Sequence, residues 1–211
     1  MSDPDFQAVL ADYNARAARE STVLSNTTPQ NILTVRDQLL LHVGEEVARF
    51  LHSLVVARRA KRILEIGTSY GYSTLFLADA ARVTGGRVIT LELSESKLAH
   101  ARAQLGRAKL ADHVEWLQGD ALQILERIEG PFDFVLLDLW KEFYVPCLER
   151  FLPKLAENGI IAADNMLEPK AVRPEAETYR AAVRAVPWLQ SVLLPIGQGV
   201  EVSCAWRAKP A

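Results

Sequence analysis

Two short apolar runs in this 211-residue chain end on metal-capable oxygen side chains. One reads Leu136-Leu137-Asp138-Leu139-Trp140-Lys141, the other Ala162-Ala163-Asp164-Asn165. If both runs are neighbouring strands of a parallel sheet, their carboxyl ends share one rim, and Asp138, Asp164 and the Asn165 amide oxygen converge there. Paired carboxylates repel, and a hard divalent cation removes that cost. All-oxygen ligation suits Mg²⁺, with Mn²⁺ or Ca²⁺ as alternatives. Lys141, three residues past Asp138, would sit beside such an ion with a lowered pKa, which suits a general base. The structural alternative is a pair of solvated strand-end acids and a surface lysine at a helix start.

A second constellation lies upstream. Ile63-Leu64-Glu65-Ile66-Gly67-Thr68-Ser69-Tyr70-Gly71-Tyr72-Ser73-Thr74 passes from a strand through a glycine loop into a helix. Such a loop brings bare backbone up to a cofactor. A pyrophosphate site would avoid a carboxylate at Glu65, whereas a cofactor with a cationic amine and a sulfonium would welcome one. This favours S-adenosylmethionine over a dinucleotide. Gly67 and Gly71 would allow close approach, and Ser73 could cap the helix and meet the cofactor carboxylate. Glu92 ends the next apolar run, 25 residues beyond Gly67, where a carboxylate can accept both ribose hydroxyls. NAD enzymes use an acid in the same way, so Glu92 indicates a nucleoside without saying which. In Gln118-Gly119-Asp120-Ala121, Asp120 or the Ala121 backbone could meet an adenine, and Asp120 could also cap a helix.

These groups need elements to carry them. Apolar runs at 62–67, 87–93, 113–118, 132–138 and 159–164 alternate with helix-like segments near 73–82, 94–109, 120–129 and 142–156. That pattern predicts an α/β fold, a parallel sheet with helices on both faces. A helix near 171–186 follows. Two final runs, 189–196 and 200–207, flank Gly197-Gln198-Gly199, a loop short enough for an antiparallel hairpin. The expected sheet therefore has seven strands, mostly parallel. Ahead of it, residues 5–20 form an amphipathic pattern with Phe6, Val9, Leu10 and Tyr13 on one face. Residues 21–30 read as a loop, and 31–41 and 43–57 as helices. The basic run 58–62 reads as a solvated helix end. We expect one domain over 1–211, with N-terminal helices to residue 57 and an α/β core from 58.

Composition sets limits. Net charge is −2, which provides no global basic field for nucleic acid. No apolar run approaches the ~20 residues of a membrane helix. The acidic N-terminus lacks a signal-peptide core. Cys147 and Cys204 have no metal-type spacing and read as thiols in a reducing cytoplasm.

Together these stretches resemble the metal- and S-adenosylmethionine-dependent O-methyltransferases, the catechol and caffeoyl-CoA groups with their bacterial relatives. The resemblance covers roughly residues 35–207. Glu65 to Ser73 is similar to the family's cofactor loop. Asp138-Leu139-Trp140-Lys141-Glu142-Phe143-Tyr144 is similar to the catechol group's D-x-W-K-x-x-Y. Ala163-Asp164-Asn165 matches the A-D-N of both groups, and Leu194 to Val200 resembles the caffeoyl-CoA group's L-P-I-G-x-G-V.

The resemblance implies a Rossmann-like class I methyltransferase fold, with Asp138, Asp164 and Asn165 holding the metal and Lys141 as base. It implies a cofactor site lined by Val43, Glu65, Gly67, Thr68, Gly71, Ser73, Glu92, Leu93, Asp120, Ala121, Asp138 and Trp140. Lys141, Asn165, Pro169 and Leu39 would border the substrate, Pro169 as an aromatic wall and Leu39 in place of a tryptophan gate. Leu139 replaces a histidine of the catechol group, and Val192 falls where that group has a glutamate. The expected reaction is methyl transfer to a catechol-like or other phenolic small molecule. Alternatives are a nicotinamide oxidoreductase, a non-catalytic binding module, or a metal-free methyltransferase on RNA or protein. The N-terminal helix could pack on its own domain or, as in bacterial relatives, on a second copy.

Overall fold

In the computed structural model, which describes residues 3–25, 38–170 and 173–206, the apolar runs become seven strands. They are β1 (Arg62–Ile66), β2 (Arg87–Glu92), β3 (Val114–Gln118), β4 (Phe132–Leu137), β5 (Leu155–Ala163), β6 (Leu189–Leu194) and β7 (Val200–Ala205). One sheet takes them in the order β3-β2-β1-β4-β5-β7-β6. The first five strands pair in parallel, and β7 runs antiparallel to both β5 and β6. This is the expected Rossmann-like sheet with its C-terminal hairpin. Strand order reverses between β1 and β4, so the loops after these two strands diverge and leave a crevice at the carboxyl rim.

The helices are α1 (Pro4–Ser25), α2 (Glu45–Arg58), α3 (Tyr72–Thr84), α4 (Glu95–Arg107), α5 (Ala121–Arg127), α6 (Tyr144–Phe151) and α7 (Arg173–Arg184). Alternation along each strand divides the core in two. Ile63, Phe134 and Leu136 pack with α1, α2, α3 and Leu105 of α4. Leu64, Ile66, Val135 and Leu137 pack with α5, α6 and α7. Burial on both faces explains why the strands read as continuous apolar runs. The predicted face of α1 is buried within this chain: Phe6, Val9, Leu10 and Tyr13 are at most 3% exposed, and Phe6 meets Phe76 edge-on at 5.3 Å.

Several boundaries differ from expectation. α1 continues to Ser25 through part of the expected loop. Of the helix expected at 31–41, residues 31–37 lie outside the described residues, Gln38 is in 3₁₀ conformation, and 39–41 are irregular backbone. The helix expected at 142–156 is a 3₁₀ turn (Lys141–Phe143), α6, and a second 3₁₀ turn (Leu152–Lys154) holding Pro153. β5 starts at Leu155, well before 159, because Glu157-Asn158-Gly159 forms a bulge and not a turn. Pairing jumps from Phe132↔Leu155 to Phe134↔Ile160, with Asn158 at φ 57°. The basic run is not simply solvated. Arg58 donates to Asn158 O (2.8 Å) and Asp133 Oδ1 (3.0 Å), and Arg62 donates to Glu129 O (2.7 Å). It thus ties down loops at the amino end of the sheet, opposite the rim.

Candidate functional site

The crevice at the β1/β4 reversal is a cleft with two walls. Leu40, Leu41, His42 and Val43 form one; Gly67, Thr68, Ser69, Tyr72 and Ser73 form the other, with Asp138 at the floor. Gly67 sits at φ 105°, and a Cβ there would lie 2.0 Å from the Asp138 carbonyl oxygen. The close approach that requires glycine is therefore between two strand tips. Gly67→Ala should cost several kcal/mol, seen as a lowered Tm, because the clash is with backbone that cannot rotate away.

Glu65 is placed by strand alternation on the α3 side of the sheet, where it is fully buried. Ser73 Oγ donates to its Oε1 at 2.6 Å, and Thr74 and Thr90 hydroxyls donate to its Oε2 at 2.6 Å. Two sequence expectations change here. Ser73 does not cap α3; the N-cap is Gly71, which has no side-chain cap bond, and Ser73 sits inside the first turn with its hydroxyl turned to Glu65. Glu65 itself lies behind Ser73 and does not line the cleft. Burial pushes its carboxyl up to about 7, against the pull of the three hydroxyls and with the help of nearby Asp138. An acid raised on folding binds its proton more tightly when folded. Stability should therefore be fullest below the ordinary value of 4.5 and decline as pH rises toward 7. The full span is at most about 3 kcal/mol. Chemical denaturation between pH 4.5 and 8 should show a shallower decline in Glu65→Gln than in the wild type.

At the tip of β2, Glu92 accepts Ser69 N–H at Oε2 (2.8 Å) and Ser94 N–H at Oε1 (2.9 Å). Each oxygen keeps a lone pair, so the carboxylate fits a vicinal diol. Leu93, 71% exposed, follows it on the same rim. Asp120 caps α5 by accepting Gln123 N–H (3.0 Å), with Ala121 half-buried beside it. Trp140, 41% exposed, stands past the β4 tip. Val43 and Thr68 line the cleft, and Gly71 is packed against Ala101. Leu39 is buried at 5% and does not line the cleft, whereas Leu41 lines it and is 44% exposed. Pro169 is exposed on the segment after β5.

The acids lie where the register requires. Leu137 pairs with Ala163, so Asp138 and Asp164 follow as adjacent tips; Asp138 N–H continues the ladder to Ile66 O (3.0 Å) and Asp164 N–H to Leu137 O (3.2 Å). Asp164 is 1% exposed, and both of its carboxylate oxygens lack a hydrogen-bond partner. Lys141, 8% exposed, donates to Tyr144 OH (2.5 Å) and Asn165 Oδ1 (3.1 Å). Burial and the Asp138 charge push the Asp164 carboxyl up, against the weaker pull of the adjacent Asn165 N–H and of Lys141, burial raises Asp138, and burial lowers Lys141 against the pull of both acids. A buried carboxylate with no well-formed hydrogen bond is costly. Its oxygens, those of Asp138 and the Asn165 amide fit a hard cation. No group of three His, Cys, Asp or Glu side chains among the described residues is placed to hold a metal.

Two positioning residues escaped the sequence reading. Tyr144 holds Lys141 and is itself anchored by donating to Leu137 O (2.9 Å); its place in the D-x-W-K-x-x-Y stretch was the available signal. Gln198 Oε1 accepts Asn165 Nδ2 (2.8 Å) and turns the Asn165 oxygen inward. Nothing in a Gly-Gln-Gly hairpin loop signals that role.

Comparison with known proteins bears on the family of the chain. The O-methyltransferase family profile matches residues 16–203. A catechol O-methyltransferase from Mycobacterium tuberculosis is 37% identical over 136 residues, an alignment that spans 64% of this chain and 61% of that enzyme. Caffeoyl-CoA O-methyltransferase 1 from Eucalyptus globulus is 27% identical over 192 residues, 82% of this chain and 74% of the enzyme. The structure of an O-methyltransferase from Bacillus cereus in complex with SAH superposes with a TM-score of 0.75 at 28% identity, covering 97% of this chain and 92% of that one. A match running from α1 to β7, on a sheet whose reversal point carries the glycine loop and the paired acids, means that the chain belongs to the O-methyltransferase family.

Proposed function

We propose that this protein transfers a methyl group from S-adenosylmethionine to a hydroxyl of a catechol-like or other phenolic small molecule, with a divalent cation, Mg²⁺ by preference, held by Asp138, Asp164 and Asn165. The observation that carries the reading is the partnerless buried carboxylate of Asp164 beside Asp138, which also floors the cofactor cleft. Donor and acceptor sites thus share one residue.

S-adenosylmethionine, when bound, would supply a sulfonium methyl open to in-line attack by the acceptor oxygen, with the thioether as the leaving group. A divalent cation at the acid tips would supply Lewis acidity toward the acceptor hydroxyl. The chain does the rest. Glu92 fits the ribose diol, Val43 and Ser73 border the amino-acid end, and Leu93 and Trp140 border the base. Lys141 Nζ removes the acceptor proton; burial favours the neutral amine that this step needs. A phenol titrates near ~10, so ionising it at pH 7 costs about 4 kcal/mol, which base and ion offset together. Asn165, oriented by Gln198, offers its oxygen to the same spot. Leu41, exposed at the cleft, and Pro169, exposed on the segment after β5, would offer the acceptor apolar surface.

Labelled methyl transfer to a series of 3,4-dihydroxyphenyl compounds, with Mg²⁺ and with EDTA, tests this. Turnover that requires the metal is the expected result. Full turnover in chelator, or transfer to simple alcohols alone, would refute it.

A further inference from the structure

The N-terminal helix touches both walls of the cleft. Tyr13, Arg16 and Glu20 lie on one stripe of α1. Tyr13, 2% exposed, donates to the Tyr70 carbonyl at 2.6 Å. The Arg16 guanidinium lies 3.8 Å from the centre of the Tyr70 ring and donates to Gln38 O (2.7 Å). Glu20 Oε2 accepts Leu40 N–H at 2.6 Å, and its Oε1 accepts Arg16 Nε at 2.6 Å. Tyr70 belongs to the glycine loop. Leu40 opens the opposite wall, an irregular stretch in which Leu41 takes φ 41° and Gly44 φ 87°. Such backbone has no helix or sheet ladder to hold it, so the Glu20 carboxylate provides a bond that regular structure does not.

We infer that Tyr13, Arg16 and Glu20 are positioning residues that hold the two walls of the cofactor cleft at a fixed separation, so that α1 determines cofactor affinity without touching the cofactor. This rests on the cofactor reading above. The three side chains form one connected unit: Glu20 orients Arg16, Arg16 covers Tyr70, and Tyr13 fixes the carbonyl of the same residue. Loss of one member lets a wall drift, and binding must then pay to restore it.

Calorimetric titration with S-adenosylhomocysteine tests the inference on the wild type, Tyr13→Phe, Glu20→Ala, Glu20→Gln and Val9→Ala. Val9 is buried in the core on the same helix and serves as the packing control. Kd should rise on the order of tenfold in Tyr13→Phe and Glu20→Ala. Glu20→Gln keeps an acceptor for Leu40 N–H and should recover most of the affinity. Val9→Ala should lower Tm and leave Kd unchanged. Unchanged Kd in Tyr13→Phe and Glu20→Ala overturns the inference, as does an equal rise in Val9→Ala. A wild type that fails to bind S-adenosylhomocysteine overturns the cofactor reading, and the inference with it.

Discussion

Lys141→Met should lower kcat by about 10²–10⁴-fold, the usual worth of a positioned general base, while S-adenosylhomocysteine binds as before. Methionine keeps the length of the stem in a pocket where Lys141 is 8% exposed, so packing survives. Tyr144 retains its bond to Leu137 O, so the rim stays anchored. The cleft walls do not include Lys141, which is why affinity for the cofactor product should hold. The pH profile carries a second signature. A base must be neutral to take a proton, and burial moves Lys141 below the ordinary lysine range. Wild-type kcat should rise with pH through that lowered value, and Lys141→Met should lose this limb. Equal kcat in variant and wild type would remove Lys141 from the mechanism.

Asp164→Asn should be more stable than the wild type in EDTA and nearly inactive in Mg²⁺. Both Asp164 oxygens are buried without a well-formed hydrogen bond, and two acids share one nearby lysine. Asn at 164 removes the cost of keeping a second carboxyl buried beside Asp138, whether charged or forced to take up a proton, a gain of about 1–3 kcal/mol. Mg²⁺ should then reverse the order. A bound ion stabilises the wild type by mass action, about 2.7 kcal/mol at one hundred times Kd, and the variant gains little. Thermal melts of both proteins in EDTA and in Mg²⁺ read this crossing directly. A variant that melts lower in EDTA would contradict the charge argument.

Much of the frame was legible because parallel strands buried on both faces must be apolar throughout. Their carboxyl ends then name the residues that share a rim: Asp138, Asp164 and Glu92 follow from this logic alone, whereas Glu65, one residue short of the β1 end, is fully buried behind Ser73. The Gly-Gln-Gly loop likewise announced the hairpin. Local strings misled where a residue type has two uses. Asn158-Gly159 resembles a turn and is a bulge within β5. Ser73 resembles a cap and is a hydroxyl donor to Glu65. Leu39 and Leu41 differ only by two positions in an irregular segment, and no periodicity says which of them faces out. The contacts of α1 with the glycine loop join residues 57 apart, as in Tyr13 to Tyr70. A side-chain bond across that distance leaves no pattern in the sequence, whereas the amphipathic face of α1 does.

Mn²⁺ binding followed by electron paramagnetic resonance, on protein saturated with S-adenosylhomocysteine, is the most direct test of the acid cluster. The account predicts one bound ion in the wild type, displaced by Mg²⁺ and absent from Asp164→Asn. Unbound Mn²⁺ in the wild type, or the same bound signal in Asp164→Asn, would contradict it.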